Sequence, residues 1–216
     1  MDNFFSSWSG GKDSAIAFNE AIKKGLSPKF MLTMMNDEGD YSRSHSIPAK
    51  VLEKQAELTN VKLLSSKSTW KEYEKNFLDL ASPHLEGISH AVFGDIDIED
   101  HKKWEEKICS KLGVEPFLPL FGLSRENVLN IYLNEGFEAY IVTVNRDFLD
   151  RSFLGKKLDR DLISEIVKNG ADGCGENGEY HTLVTNTPFF SKKLEVEFGK
   201  VVDIKNYSFI EIKLKD

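Results

Sequence analysis

Cysteine is scarce in this chain: two in 216 residues, Cys109 and Cys174, with no Cys-x-x-Cys pair. That excludes a disulfide framework and a cysteine zinc site, and it suits a reducing compartment. Positive charge is not in excess either. The 28 Lys and Arg stand against 35 Asp and Glu, a formal net charge of −7, which argues against a broad electrostatic grip on nucleic acid. No apolar run approaches the roughly 20 residues that span a bilayer. Met1-Asp2-Asn3-Phe4 has neither the charged region nor the apolar stretch of a signal peptide. Internal repeats, low-complexity tracts and long linkers are absent. The expectation is a cytoplasmic protein with no membrane or nucleic-acid partner. Its 40% of apolar residues suffices for one α/β core of roughly 120–150 residues plus a smaller lobe.

What is present begins at Ser9-Gly10-Gly11-Lys12-Asp13-Ser14. The short apolar run Phe4 to Trp8 precedes it. Ala15, Ile16, Ala17, Phe18, Ala21 and Ile22 follow at helical spacing. This predicts a strand, a tight glycine turn and a helix. Two glycines allow a sharp bend and close approach to a ligand. The first amides of a helix lack internal partners and carry the positive end of its dipole, so they suit a phosphate. The P-loop pattern fails here, because Asp13 follows Gly11-Lys12 and Ser6 holds the place of the first glycine. A dinucleotide fingerprint fails as well, since no Gly-x-Gly-x-x-Gly starts at Gly10. What remains resembles the PP-loop of the N-type ATP pyrophosphatases. That resemblance implies a grip on the pyrophosphate end of ATP and release of AMP rather than ADP.

Along the chain, strands are expected at Lys29 to Asn36, Val61 to Ser65 and His90 to Asp95. Helices are expected from Pro48 to Thr59, Trp70 to Ala81 and Glu99 to Leu112. Such alternation means βαβ units and a Rossmann-like, doubly wound parallel sheet. Ligands of these sheets sit at the carboxyl ends of the strands. The loops after Trp8, after Asn36 and after Gly94-Asp95 are therefore expected to converge on one crevice. Phe117 to Leu120 reads as the last strand or as the crossing into a second lobe, and Ser124 as the cap of a helix reaching Asn134. Beyond these, Ala139 to Val144 reads as a strand and Leu158 to Lys168 as an amphipathic helix. His181 to Thr185, Leu194 to Phe198, Val201 to Ile204 and Phe209 to Leu214 read as strands of an antiparallel meander. The expected division is an ATP-binding domain over 1–121 and a smaller α+β domain over 122–216.

A second motif lies at Gly173-Cys174-Gly175-Glu176-Asn177-Gly178-Glu179-Tyr180-His181-Thr182. It contains a literal Gly-x-Gly-x-x-Gly, but it follows a helix and leads into a strand, the reverse of a dinucleotide site. Glu176 and Glu179 would also repel a pyrophosphate. Two carboxylates, a tyrosine and a histidine within six residues of a loop form a candidate reaction site.

Taken in order, Ser9–Ser14, Gly94-Asp95-Ile96, Pro119-Leu120-Phe121, Leu154-Gly155-Lys156 and Gly175–Tyr180 resemble the diphthine–ammonia ligase family from about Asn3 to Phe190. The resemblance implies a nucleotide-binding α/β domain joined to a smaller α+β domain, with the site between them. It implies ATP-dependent amidation of a carboxylate by ammonia through an acyl-adenylate. The implied acceptor is a modified histidine of elongation factor 2, and a homodimer is also expected. The chain departs from the eukaryotic members at Glu99–Glu105 and has His181-Thr182 where they have Glu-Thr. Two alternatives therefore stand: a related pyrophosphatase with another acceptor, or an ATP-binding module without turnover.

Roles follow from the chemistry. Pyrophosphate leaving needs neutralisation by preorganised amides and a metal ion. Gly10, Gly11 and the helix-start amides would supply the amides, Ser9 and Ser14 hydroxyl donors, and Lys12 positive charge. Asp13 is either a Mg²⁺ ligand or a first-turn acid favoured by the dipole. Asn36 and Gly94 are placed at the nucleotide by their strand ends, and His45 lies on the loop after the second strand. Asp95 could bind metal, nucleotide or acceptor, or cap a helix. Asp95, Glu176, Glu179 and Tyr180 are the expected catalytic group, with either glutamate positioning ammonia, acting as base or holding a second metal.

Overall fold

The computed structural model describes residues 2–215. Its first half is a five-stranded parallel sheet in the order β3-β2-β1-β4-β5. The strands are β1 (Asn3–Ser7), β2 (Ser27–Met35), β3 (Lys62–Lys67), β4 (Ile88–Val92) and β5 (Glu115–Phe117). Between them run α1 (Lys12–Lys23), α2 (Ala49–Thr59), α3 (Tyr73–Ala81) and α4 (Glu99–Leu112). The period-2 alternation of a strand sends neighbouring side chains to opposite faces, and the sequence uses both. Phe4, Met31 and Met35 join the core beneath α1 and α2. Phe5, Phe30, Leu32 and Met34 join a second core with Phe77, Ala81, Ile108 and Cys109 of α3 and α4. The doubly wound, Rossmann-like architecture follows.

The second half adds α5 (Arg125–Asn134), β6 (Glu138–Asn145), α6 (Arg160–Lys168), β7 (Tyr180–Asn186), β8 (Val196–Ile204) and β9 (Tyr207–Leu214). Ser124 caps α5, its hydroxyl accepting the Asn127 N–H at 3.2 Å. Two expectations need correction. The last strand of the parallel sheet is Glu115–Phe117, because Phe117 is the residue that pairs with Val92, and Leu118 to Phe121 closes a turn. The second sheet is antiparallel but not a meander. Its order is β7-β6-β9-β8, with β6 at its centre and one irregular strand across Val196–Ile204 in place of two.

The two sheets share a core. Phe18 of α1 meets Phe4, Trp8 and Phe189 at ring-centroid distances of 5.1, 5.8 and 4.6 Å. Each such pair adds about 1 kcal/mol beyond its area burial. Gln55, fully buried on α2, ties the halves together. It accepts from Trp8 Nε1 at 2.9 Å and donates to the carbonyls of Gly10 and Val184 at 3.1 and 2.8 Å. The Val184 N–H donates to Gly10 O at 2.9 Å. β7 therefore lies directly against the glycine turn. No helix among the described residues is long and apolar enough to cross a membrane.

Candidate functional site

The glycine turn opens where β1 ends, and Gly10 takes the left-handed conformation at φ +82°. Gly11 stands at the N-cap of α1 without a side-chain cap, so the start of the helix is built from backbone alone. The hydroxyls of Ser9 and Ser14 lie 3.1 Å apart across the turn. Thr182 of β7 accepts the Lys12 N–H at 3.0 Å. The Lys12 side chain is buried. Its ammonium donates to both Asp13 oxygens at 2.9 Å and to the Cys174 carbonyl at 2.5 Å. Burial works against that charge, and Asp13 more than offsets it, so the Lys12 pKa is raised.

The loop after β4 closes on the same turn. A Cβ on Gly94 would lie 2.8 Å from the Asp13 carbonyl carbon and the Ser14 nitrogen; only glycine lets this loop touch the first turn of α1. Asp95 follows and accepts from His101 at 2.6 Å. Burial opposes the charge on Asp95, while hydrogen bonds from His101 and Glu105 hold its pKa below the usual carboxylate value. Glu105 of α4 is buried, and burial followed by Asp95 pushes its carboxyl up to about 10.

The glycine-rich loop before β7 forms the facing wall. Asp172 accepts the N–H groups of Cys174 and Glu176 at 3.1 and 2.9 Å. Arg125 binds Asp172 at 2.9 Å and Asp97 at 2.7 Å, and so clamps this loop to the one after β4. The Tyr180 hydroxyl donates to Gly173 O at 2.6 Å. The Glu176 side chain is half-buried. Burial first, then the nearby charge of Asp13, raises its pKa to about 7. The His45 and His181 rings meet at 4.6 Å, and His45 Nδ1 lies 3.0 Å from Thr182 O. Burial lowers both histidine pKa values, that of His181 well below its ordinary value, so the pair is uncharged at neutral pH.

Together these elements enclose a cleft of about 610 Å³, within the range of small-molecule sites. Ser9, Lys12, Asp13, Ser14, His45, Gly94, Asp95, Glu176 and Tyr180 all line it, with His181. Gly10 and Gly11 shape it through their backbone. Asn36 and Glu179 are not brought to it. Asn36 Oδ1 accepts the N–H groups of Gly39, Asp40 and Tyr41 and folds its own loop. Glu179, 2% exposed, accepts from the Asp172 and Asn177 N–H groups and from the Asn177 side chain at 3.0–3.1 Å. Its carboxylate holds the glycine-rich loop in shape. Thr182, Gln55, Arg125 and Glu105 escape a reading of the sequence because their partners are distant in the chain. The single sequence cue is a glutamate at a core-facing position of α4.

No group of three or more His, Cys, Asp or Glu among the described residues could hold a metal ion. Asp13 lines the cleft as a single carboxylate, with both of its oxygens accepting from the Lys12 ammonium.

Comparison with known proteins gives matches over most of the chain. The diphthamide synthase N-terminal domain matches residues 4–116 and the diphthamide synthase C-terminal domain residues 124–215. Proteins named diphthine–ammonia ligase from Homo sapiens and Bos taurus are each 30% identical over 157 residues, 67% of this chain and 57% of theirs. The protein of that name from Schizosaccharomyces pombe is 30% identical over 62% of this chain and 22% of its own. The match spans about half the length of the mammalian relatives. A solved structure described as a predicted subunit of tRNA methyltransferase from Methanocaldococcus jannaschii has a TM-score of 0.46 at 15% identity, covering 87% of this chain and 98% of that one.

Proposed function

The chain belongs to the diphthamide synthase family, and on that footing we propose that it is an ATP-dependent, AMP-forming ligase that joins ammonia to a carboxylate. The observation that carries the reading is that Lys12 and Glu176 line one cleft, with the Lys12 ammonium held on the Cys174 carbonyl of the loop that carries Glu176. The first step needs positive charge where pyrophosphate leaves, and the second needs a base where ammonia attacks. The relatives are named diphthine–ammonia ligase, which supports diphthine, a modified histidine, as acceptor and ammonia as nitrogen donor.

In the first step a carboxylate oxygen of the acceptor attacks the α-phosphorus of ATP, and the bond to pyrophosphate breaks. The Lys12 ammonium, the Ser9 and Ser14 hydroxyls and the helix-start amides hold the departing phosphates. Mg²⁺ bound by Asp13 would neutralise phosphate charge. In the second step the ammonia nitrogen attacks the acyl carbon. Glu176 takes the proton, and the carbon–oxygen bond to AMP breaks. Tyr180 walls the site. Asp95 and the uncharged pair His45 and His181 offer hydrogen-bond acceptors to nucleotide or acceptor. His181, where the eukaryotic members have glutamate, favours a second reading in which the same chemistry serves a different acid.

Incubation with ATP, Mg²⁺, ammonium and candidate acids should yield AMP and pyrophosphate. Formation of ADP would overturn the assignment, and tight ATP binding without turnover on any acceptor would leave an ATP-binding module.

A further inference from the structure

One end of the cleft is walled by aromatic rings and floored by acids. Trp70 stacks on Tyr73 with centroids 5.7 Å apart, and Tyr73 meets Trp104 at 5.7 Å; all three line the cleft with Asp95 and Glu105. Glu105 is 2% exposed, on the same α4 face as the core residues Ile108 and Cys109. Its Oε2 has no hydrogen-bond partner among the described residues. A leucine would fill such a position at no desolvation cost, whereas a buried carboxyl left without a full set of partners is costly.

The cations nearby are engaged elsewhere, although Arg43 Nε, like Glu105 Oε2, is buried without a hydrogen-bond partner among the described residues. Lys12 is held by Asp13 and Cys174. Arg43 pairs with Asp37 and lies 5.0 Å from the Trp70 ring. His101, on the exposed rim, serves Asp95. The charged groups acting on Glu105 are Asp95, Glu106 and Glu176, all acids. Electron-rich ring faces and acceptor oxygens together select a small cation that carries N–H donors. The place is adjacent to the nucleotide loop, since Gly94 beside Asp95 packs on the first turn of α1.

We propose that the pocket bounded by Glu105, Asp95, Tyr73 and Trp104 binds an ammonium ion and is the point at which the nitrogen donor enters the cleft. The assignment of nitrogen entry rests on the ligase reading above. Binding of the cation does not. An N–H of the ion donates to Glu105 Oε2 while the rings of Tyr73 and Trp104 face its charge. A fully methylated ammonium can use the rings and cannot satisfy that oxygen.

The test titrates the intact protein with ammonium chloride at constant ionic strength, balanced with sodium chloride, and follows tryptophan fluorescence and binding heat. Saturable binding is expected, and Glu105→Leu, which removes the acceptor oxygen, should weaken it at least about tenfold, the loss of about 1.4 kcal/mol. Should Glu105→Leu fail to fold, Tyr73→Leu carries the same expectation. Absence of saturable binding, or tetramethylammonium chloride binding as tightly as ammonium, overturns the proposal. In turnover, Glu105→Leu should raise KM for ammonium at least about tenfold and move KM for ATP less than about twofold. AMP formation with an unaltered KM for ammonium sinks the pocket and spares the ligase reading. Saturable ammonium binding with no AMP from any acceptor does the reverse.

Discussion

Glu176 sits where burial and the charge of Asp13 both resist ionisation, and its pKa of about 7 leaves it poised to take a proton near neutral pH. As a base it works only when ionised, so amide formation should rise as pH climbs through about 7. Stability should run the other way. The folded-state value lies above the ordinary 4.5, so the stability this group contributes is full below 4.5 and is lost as pH rises through about 7. Rate profiles and melting temperatures of the wild type and Glu176→Gln, measured across that window, should differ in both respects. A rate that stays flat through neutral pH would remove Glu176 as the base. Glu179, three residues on, does different work: its carboxylate organises backbone N–H groups. Glu179→Gln keeps the shape but loses the charge that strengthens those bonds, and should cost about 1–3 kcal/mol in denaturant unfolding. Loss of turnover in Glu179→Gln without loss of stability would instead place that carboxylate in the reaction.

At the scale of elements, the loop after β4 and the start of α1 behave as one unit because of a missing side chain. Gly94→Ala would drive a Cβ into backbone atoms of Asp13 and Ser14 at 2.8 Å, and backbone cannot step aside as a flexible side chain can. Overpacking of this kind costs about 1–3 kcal/mol, and the displaced first turn should lose ATP. Calorimetry should find ATP affinity down by at least about tenfold in Gly94→Ala; intact affinity would mean the contact is incidental. This is also the scale at which sequence and structure part company. The strand–turn–helix of Ser9–Ser14 is legible because its causes are local: an apolar run, two glycines and a helical stripe. The parallel sheet is legible because alternation of element types dictates it. The second sheet is misread as a meander because pairing is a long-range choice. Nothing near Val196 in the sequence signals that β6, some fifty residues earlier, will take the place beside β7 and β9. Glu179 and Asn36 are misplaced for a local reason. Their residue types suit catalysis, and only the folded loop shows that neighbouring N–H groups already claim them.

For the molecule as a whole, the Gly10 turn is not a property of its first half. Gly10 O receives Gln55 Nε2 and Val184 N, and Thr182 receives the Lys12 N–H. The second sheet is thus a structural part of the turn. Gln55→Leu removes three hydrogen bonds at a fully buried point and leaves two carbonyls and an indole N–H short of partners. It should lower stability by about 2–5 kcal/mol. It should also speed hydrogen exchange at the Gly10–Ser14 amides more than at β3 amides. Uniform acceleration would show that Gln55 merely stabilises the fold.

The β7 strand lying on the Gly10 turn has a consequence for how the chain can be divided. A gene cut near residue 121 would yield two pieces, each with a complete sheet and each with part of the contacts that shape the Gly10 turn. Neither should retain ATP on a filter by itself. Mixed, they should find one another through the exposed faces of their shared core and recover nucleotide retention, as a split reporter recovers its signal, with a yield that rises with the concentration of the scarcer piece.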